Sequence, residues 1–180
     1  SGTFIEFKID KELIKDKTPD YEKFHFRNGI ADFLDIKNKF TTKLFENKFS
    51  INKKINESEK CEIFVSFNKN EKASFISFCN TIETPDGGSH ENGFKNGMFK
   101  AFKDYSKIKF ERKASQITHD DIFGSSASIL SIFIENPEFH GQTKEKLSSI
   151  EPSRKLAFKL KQLFDQCLTN TPNSSKQHFS

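Results

Sequence analysis

A glutamine and a lysine two residues apart are the side chains in this sequence best suited to binding a phosphate. Gln142 and Lys144 follow Gly141 in a loop predicted between a strand and a helix. A lysine ammonium is a compact charge on a long stem that can reach a terminal phosphate. A glutamine amide can donate to a phosphate oxygen or orient an attacking water. A charge-assisted hydrogen bond of this kind contributes about 1.5–3 kcal/mol, yet so short a pattern alone is more typical of a solvated loop.

Serine, histidine and aspartate residues elsewhere suggest other chemistry, but their spacing favours structural roles. Ser89 and His90 follow the Gly87–Gly88 pair, and no third group at a defined spacing completes a nucleophilic triad. We interpret the glycines as a turn with positive φ angles, and we expect Ser89 or His90 to cap the following helix. Asp120–Asp121 could bind a metal, but the pair lies where a capping box would place it.

Composition favours a globular protein from a reducing compartment. The chain has 180 residues, among them 22 phenylalanines, and this length fits one domain. Its three cysteines are odd in number and widely spaced, which favours buried thiols over disulfides or a zinc site. The longest apolar stretch, Ala127–Ile134, is far shorter than the ~20 residues that a membrane span needs. We therefore expect a cytoplasmic protein with no membrane partner.

The basic excess is small, with a formal net charge of +4, and only three of the 29 basic residues are arginine. Lysine, asparagine, isoleucine and phenylalanine are all frequent, and AT-rich codons encode them, so genome composition is the simpler explanation. Five lysines nevertheless lie around one predicted helix. A solvated face is the commoner meaning of such a run, whereas DNA binding through it would be weak, independent of sequence and steeply salt-dependent. These residues are Lys100, Lys103, Lys107, Lys109 and Lys113.

Hydrophobic periodicity predicts an α+β fold with a mixed sheet and helices packed on one face. Alternation predicts strands over Thr3–Ile9, Glu62–Phe67 and Ser74–Asn80, and the last two are expected to pair as an antiparallel hairpin. The apolar run Ala127–Ile134 predicts a buried strand. Two amphipathic helices are predicted from the apolar positions Phe94, Met98, Ala101, Phe102 and Tyr105 and from Leu156, Leu160, Leu163, Phe164 and Cys167.

Two stretches are far more specific than this periodicity. Ser77–Phe94 contains Gly-Gly-Ser-His-Glu-Asn-Gly-Phe, and Leu130–Leu147 contains Pro-Glu-Phe-His-Gly-Gln-Thr-Lys-Glu-Lys-Leu. They resemble two motifs of the B subunits of bacterial type IIA topoisomerases, Gly-Gly-Thr-His-x-x-Gly-Phe and Pro-x-Phe-x-Gly-Gln-Thr-Lys-x-Lys-Leu. The resemblance runs in order over nearly the whole chain and is nearer to topoisomerase IV than to gyrase. Ser89 replaces the usual threonine and keeps its hydroxyl.

The resemblance implies a fold and a domain order. The fold is the ribosomal protein S5 domain 2-like sandwich, which contains a left-handed β-α-β crossover against the usual right-handed rule. Residues 1–170 would be the transducer domain, and residues 171–180 a disordered tail. In that family an ATP-binding domain lies upstream and a metal-binding Toprim domain downstream. We therefore expect the chain to be part of a longer subunit and not to hydrolyse ATP alone.

The resemblance also implies ligands and partners. The matching glutamine and lysine of the family contact the γ-phosphate of ATP, which implies catalytic and nucleotide-binding roles for Gln142 and Lys144. The role of Lys146 stays open: its side chain could cover the loop, face DNA or lie on the solvated surface. ATP would be held mainly by the upstream domain, and Mg²⁺ would act in the full enzyme without ligands from this chain. DNA, the topoisomerase IV A subunit and a second B subunit are the implied partners.

Two alternatives remain at this point. The first is the same domain of the gyrase B subunit, which would keep every residue assignment above. The second comes from a different class of protein and is a stand-alone RNA-binding module of the S5-like fold with no nucleotide role.

Overall fold

The computed structural model describes residues 4–27, 29–30, 32, 49–68, 73–110 and 114–170. The chain divides into two units, residues 1–40 and residues 41–180. No helix in the described ranges is long and apolar enough to cross a membrane. The tail predicted at residues 171–180 lies outside these ranges.

The first unit contains a two-stranded antiparallel ribbon. Strands β1 (Phe4–Lys8) and β2 (Tyr21–His25) pair along their whole length, so that Phe4 lies opposite His25. The ribbon is exposed on both faces, and its apolar side chains include Phe7 and Phe24, which meet edge to face. The strand predicted at Thr3–Ile9 is thus confirmed within one or two residues at each end.

The second unit contains a five-stranded mixed sheet, in which the strand order is β3-β4-β7-β5-β6. The central strand β7 pairs antiparallel with β4 and parallel with β5. This arrangement confirms the predicted α+β class and the mixed sheet. The strands are β3 (Phe49–Lys54), β4 (Lys60–Phe67), β5 (Ser74–Cys79), β6 (Ile82–Glu83) and β7 (Ser126–Phe133).

The predicted antiparallel hairpin of β4 and β5 is wrong, because β7 lies between these two strands. All β7 residues from Ser126 to Ile132 are buried, and a strand with no exposed face is most stable in the middle of a sheet. The chain therefore leaves β4 past the end of β7, where the Asn68 amide donates to the Ser125 carbonyl oxygen at 2.9 Å. Local alternation could not reveal this insertion, since β7 follows β5 much later in sequence.

Within the described part of the second unit, three α-helices accompany the sheet: α1 (Ser89–Phe110), α2 (His119–Phe123) and α3 (Ile150–Asn170). They pack on one face of it. The predicted apolar stripes of α1 and α3 are confirmed, because both helices bury them in the core. The fully or almost fully buried positions are Phe94, Met98, Ala101, Leu156, Leu160 and Phe164.

The predicted capping box at the start of α2 is also confirmed. The Thr118 hydroxyl accepts a hydrogen bond from the Asp121 amide, and the Asp121 carboxylate accepts one from the Thr118 amide. Hydrogen bonds from the Thr118 side chain and backbone lower the pKa of the Asp121 carboxyl. This acidic pair therefore begins a helix, as the sequence predicted.

The buried thiols predicted from the cysteine spacing are confirmed for Cys61 and Cys79, which are fully buried. Burial raises the pKa of both thiols to about 11. They are therefore protonated at neutral pH and behave as small apolar core residues.

Helices α1 and α3 approach each other closely through two glycines one turn apart. A Cβ atom on Gly97 would lie 2.7 Å from the Ala157 carbonyl oxygen, and one on Gly93 would lie 2.6 Å from that of Ser153. The Ser153 hydroxyl also donates to the Ser89 carbonyl oxygen at 2.5 Å, which joins the beginnings of the two helices. The distance between the helices is therefore set by backbone contact.

Gly97→Ala should destabilise the chain by about 1–3 kcal/mol, because the added methyl group meets backbone atoms that cannot rotate away. Helix propensity alone predicts the opposite sign, a gain of about 1 kcal/mol. Urea unfolding compares the two effects directly. Asn96→Ala is the matched control at a neighbouring, exposed position of α1 and should be neutral or stabilising. A Gly97→Ala chain as stable as the wild type would contradict the close approach.

Candidate functional site

Gln142 and Lys144 lie on a loop of residues 138–148, between β7 and α3. The two arms of this loop pair through an antiparallel bridge between Phe139 and Leu147. A hydrogen bond of 2.8 Å from the Ser148 amide to the Glu138 carbonyl oxygen closes its base, and the Ser148 hydroxyl donates to the same oxygen at 2.9 Å. The 138–148 loop is therefore a short hairpin with a defined base.

The tip of the 138–148 loop carries the two candidate residues into solvent. Gln142 and Lys144 are both exposed. Gly141 has a φ of 85°, and Lys144 has a φ of 58°, a left-handed conformation that costs a non-glycine residue about 1–2 kcal/mol. The Lys144 Nζ lies 5.9 Å from the centroid of the Phe139 ring. Such strain persists only where surrounding contacts impose it, and it is often found at functional sites.

Both candidate side chains are free to bind a ligand. Within the described ranges, Lys144 forms no salt bridge and Gln142 forms no side-chain hydrogen bond. A lysine ammonium and a glutamine amide together present several N–H donors. An anionic group with several oxygen acceptors, such as a phosphate, is the chemical class of ligand that fits them.

The base of the 138–148 loop is joined to the turn that precedes α1, here called the 84–88 turn. Leu147 forms a parallel bridge with Gly88, and its side chain is 1% exposed in the core. The Leu147 amide donates to the Gly87 carbonyl oxygen at 3.1 Å, and the Leu147 carbonyl oxygen accepts from the Ser89 amide at 2.9 Å. The loop base is thus fixed to the start of α1.

Glycine is required at the centre of this junction. Gly87 and Gly88 have φ angles of 65° and 136°, which confirms the predicted turn with positive φ. A Cβ atom on Gly88 would overlap the Leu147 carbonyl oxygen and lie 2.6 Å from the Leu147 nitrogen. Any side chain at Gly88 would therefore push the two segments apart.

The predicted capping role of Ser89 or His90 is wrong. Helix α1 begins at Ser89, whose amide already donates to Leu147. The Ser89 hydroxyl has no hydrogen-bond partner in the described part of the chain, and His90 is fully buried in the first turn of the helix. The Ser89 amide, one of the four at a helix start that have no partner within the helix, is thus satisfied by the neighbouring loop and not by a capping side chain.

A buried polar network connects β5, the 84–88 turn and α1. The Thr84 Oγ1 lies 2.7 Å from the Ser77 Oγ, 3.0 Å from the Ser77 carbonyl oxygen and 3.1 Å from the His90 Nε2. Burial lowers the pKa of His90 to about 4, so the imidazole is neutral at neutral pH. All three residues are buried, and none of them reaches the surface.

Four of the five lysines predicted around one helix lie on α1, and the charge of one of them is paired. Lys107 forms an ion pair with Asp104 at 3.3 Å, and the Lys103 Nζ lies 5.4 Å from the centroid of the Phe99 ring. Lys100 and Lys109 are exposed. Lys113 lies outside the described residues. Contact between these lysines and DNA stays a prediction.

Sequence reasoning identified both motifs but missed the contact between them. A signal that could have revealed the contact is Leu147, an apolar residue at the end of the polar run from Gly141 to Lys146, since such a residue is typical of an anchor in the core. The buried role of His90 carried no comparable signal, because a histidine beside a helix start is compatible with several functions.

Comparison with known proteins supports the family that both motifs resemble. The family model described as DNA gyrase B matches residues 29–178. The B subunit of DNA topoisomerase 4 from Caulobacter vibrioides is 37% identical over 180 residues, which cover 97% of this chain and 26% of that protein. The DNA gyrase B subunit of Campylobacter jejuni is 32% identical over 151 residues, which cover 81% of this chain and 19% of that protein. The chain therefore spans about a quarter or less of the length of these relatives.

A solved structure supports the same assignment. The structure described as the topoisomerase IV ATP binding domain of Francisella tularensis in complex with a small-molecule inhibitor superimposes with a TM-score of 0.69 and 31% identity. The match covers 84% of this chain and 41% of that one. This similarity agrees with the S5-like fold that the sequence motifs implied, while the left-handed crossover stays a prediction.

Lowering the pH should destabilise the chain through His90. Its pKa is about 4 in the folded state and ordinarily about 6.5, so between these values the unfolded state binds the proton more readily. The stability contributed by the neutral imidazole is complete above about pH 6.5. As the pH falls towards 4, about 3 kcal/mol is lost.

Urea midpoints measured at several pH values from about 7.5 down to about 4 give this profile, because that range spans both pKa values of the imidazole. The variant His90→Gln keeps a polar side chain of similar length but cannot titrate, so its stability should fall less over the same range. An identical pH dependence in the wild type and the variant would contradict a neutral, buried His90.

Proposed function

The chain belongs to the DNA gyrase B family, and on that basis we propose that it is the transducer domain of a type IIA topoisomerase B subunit, nearer to topoisomerase IV than to gyrase. Its proposed role is to couple ATP binding and hydrolysis to the passage of one DNA duplex through a double-strand break in another. The observation that carries this proposal is the 138–148 loop, whose tip presents free donors while its base is fixed to α1.

The proposed ligand of the loop tip is the γ-phosphate of ATP. Lys144 and Gln142 offer N–H donors, and a phosphate offers only oxygen acceptors at neutral pH, so the residues fit the group. ATP supplies the phosphoryl group that is transferred to water. Lys144 would hold its ammonium against the charge that develops on that group, and Gln142 would donate to an oxygen or orient the attacking water.

Most of the nucleotide site would belong to an ATP-binding domain elsewhere in the subunit. The relatives are several times longer than this chain, and the exposed tip fits a ligand that is held on another surface. In the described ranges, no group of three or more His, Cys, Asp or Glu side chains is placed to hold a metal, and Mg²⁺ is proposed for the full enzyme without ligands from this chain. We therefore expect the 180-residue chain alone not to turn ATP over.

Contact with the γ-phosphate would make the domain a switch. The contact exists with ATP and is lost once the phosphate is released, so the two nucleotide states have different affinities for the loop. The loop base would pass this difference to α1 and, through the Ser153 hydroxyl on the Ser89 carbonyl oxygen, to α3. DNA, the A subunit and a second B subunit are the proposed partners of the whole enzyme.

The gyrase B subunit is the second candidate, supported by the Campylobacter jejuni relative. Both candidates place the same residues at the γ-phosphate. The reaction of the enzyme assembled with its own A subunit separates them, since topoisomerase IV would favour decatenation and gyrase would introduce negative supercoils. Family membership gives no support to the alternative of a stand-alone RNA-binding module.

Lys144→Ala in the full-length subunit, assembled with its A subunit, should lower the rate of ATP hydrolysis about 100- to 1000-fold. The loss follows because the developing phosphoryl charge no longer meets a fixed cation. ATP binding should persist, since most contacts come from the other domain. Single-turnover kinetics measure hydrolysis without interference from product release. Gln142→Ala should change the rate in the same direction by less, because a neutral donor contributes less.

Lys146→Ala is the matched control, because it removes the same charge from an exposed position in the same loop. It should hydrolyse ATP at close to the wild-type rate. All three variants should remain within about 0.5 kcal/mol of wild-type stability, since they change exposed side chains. Wild-type hydrolysis and strand passage in Lys144→Ala would refute the proposed role of the loop.

A further inference from the structure

The buried network of Ser77, Thr84 and His90 flanks the 84–88 turn on both sides. Thr84 is the first residue of the turn, and His90 lies two residues beyond its end in α1. We propose that Thr84 and His90 are positioning residues for Lys144, which act by fixing the 84–88 turn and, through it, the 138–148 loop. This inference rests on the proposed function of Lys144.

A single hydroxyl group ties the turn to two elements of the core. The Thr84 Oγ1 donates to the Ser77 carbonyl oxygen at 3.0 Å. Its two lone pairs can then accept from the Ser77 Oγ at 2.7 Å and from the His90 Nε2 at 3.1 Å. With the hydroxyl hydrogen on the Ser77 carbonyl oxygen, the imidazole proton must lie on the His90 Nε2, and the buried His90 Nδ1 then has no hydrogen-bond partner in the described part of the chain. The turn is thereby held to β5 by Ser77 and to α1 by His90.

Burial makes this junction rigid. Ser77 is 3% exposed, Thr84 is 2% exposed and His90 is fully buried, so water cannot replace a lost partner without entering the core. The Ser77 carbonyl oxygen also accepts a backbone hydrogen bond from the Thr84 amide at 2.9 Å, in addition to the bond from the Thr84 hydroxyl. Neither Thr84 nor His90 can touch a nucleotide at the loop tip, and any influence on it must pass through the backbone.

The backbone route from the turn to Lys144 is short. The Asp86 amide donates to the Glu145 carbonyl oxygen at 3.0 Å, and Glu145 is the residue after Lys144. Further along the same arm of the loop, Leu147 forms hydrogen bonds with Gly87 and Ser89, which fix that arm to the turn. A shift of the 84–88 turn therefore moves the peptide next to Lys144. In catalysis, a misplacement of about 1 Å can cost roughly 100-fold in rate.

Thr84→Val and Thr84→Ser form the test pair in the full-length subunit assembled with its A subunit. Valine has nearly the shape of threonine but lacks the hydroxyl, while serine keeps the hydroxyl. Thr84→Val should lower kcat for ATP hydrolysis about 10- to 100-fold and leave KM within about twofold. Amide hydrogen exchange at Asp86 and Leu147 should become faster. Thr84→Ser should restore both properties towards the wild type, which general destabilisation by a smaller side chain would not do.

The double variant Thr84→Val with Lys144→Ala shows whether the effect passes through Lys144. If it does, the double variant is no slower than Lys144→Ala alone, because the misplaced group is already absent. The positioning role would be overturned if Thr84→Val lowered the rate of the Lys144→Ala enzyme by the same factor as it lowers the wild-type rate. Should Thr84→Val fail to fold, His90→Phe removes the Nε2 donor, keeps the bonds between Thr84 and β5, and allows the same comparison.

The outcomes separate this inference from the function on which it rests. A loss of hydrolysis in Lys144→Ala, with wild-type hydrolysis and wild-type amide exchange in Thr84→Val, overturns the inference alone. Wild-type hydrolysis in Lys144→Ala overturns the proposed function and this inference with it. Support for the inference and for the proposed function requires three results together. Thr84→Val hydrolyses ATP more slowly than the wild type, Thr84→Ser restores the rate, and Thr84→Val causes no further loss when Lys144→Ala is already present.

Discussion

The pairing of Gly88 with Leu147 is the interaction on which the candidate site depends. It joins the turn before α1 to the base of the 138–148 loop, two segments far apart in sequence. The Leu147 side chain is buried in the core while its backbone bonds to both sides of the turn. The proposed contact of Lys144 with a nucleotide held by another domain requires an exposed tip, and this pairing lets the tip be exposed while its base stays anchored.

The central position of β7 determines where the 138–148 loop leaves the sheet. Because β7 is buried on both faces, it lies between β4 and β5, and the 138–148 loop leaves from the middle of the sheet. The same loop leads directly into α3, which packs closely on α1 at Gly93 and Gly97. Both ends of the loop are therefore joined to elements of the core.

Local chemistry in the sequence predicted the elements well. The stripes of α1 and α3, the capping box of α2 and the buried strand β7 all depend on neighbouring residues, and all are confirmed. The pairing of β4 with β5 was predicted wrongly, because a later strand occupies the place between them. The cap at Ser89 was predicted wrongly for a similar reason, since Leu147 provides a partner from a distant segment. Gln142 and Lys144 are candidates because of their motif, and their role stays a prediction, whereas the anchor of their loop depends on a tertiary contact that the sequence does not reveal.

The most direct test of the account is the distance between Lys144 and the nucleotide in the full-length subunit. Structures should be determined with a non-hydrolysable ATP analogue and with ADP, under otherwise identical conditions. The account predicts the Lys144 Nζ at about 2.7–3.0 Å from an oxygen of the γ-phosphate with the analogue, and away from the nucleotide with ADP. It also predicts that Leu147 stays paired with Gly88 in both structures. A Lys144 side chain that remains in solvent with the ATP analogue bound would contradict the account.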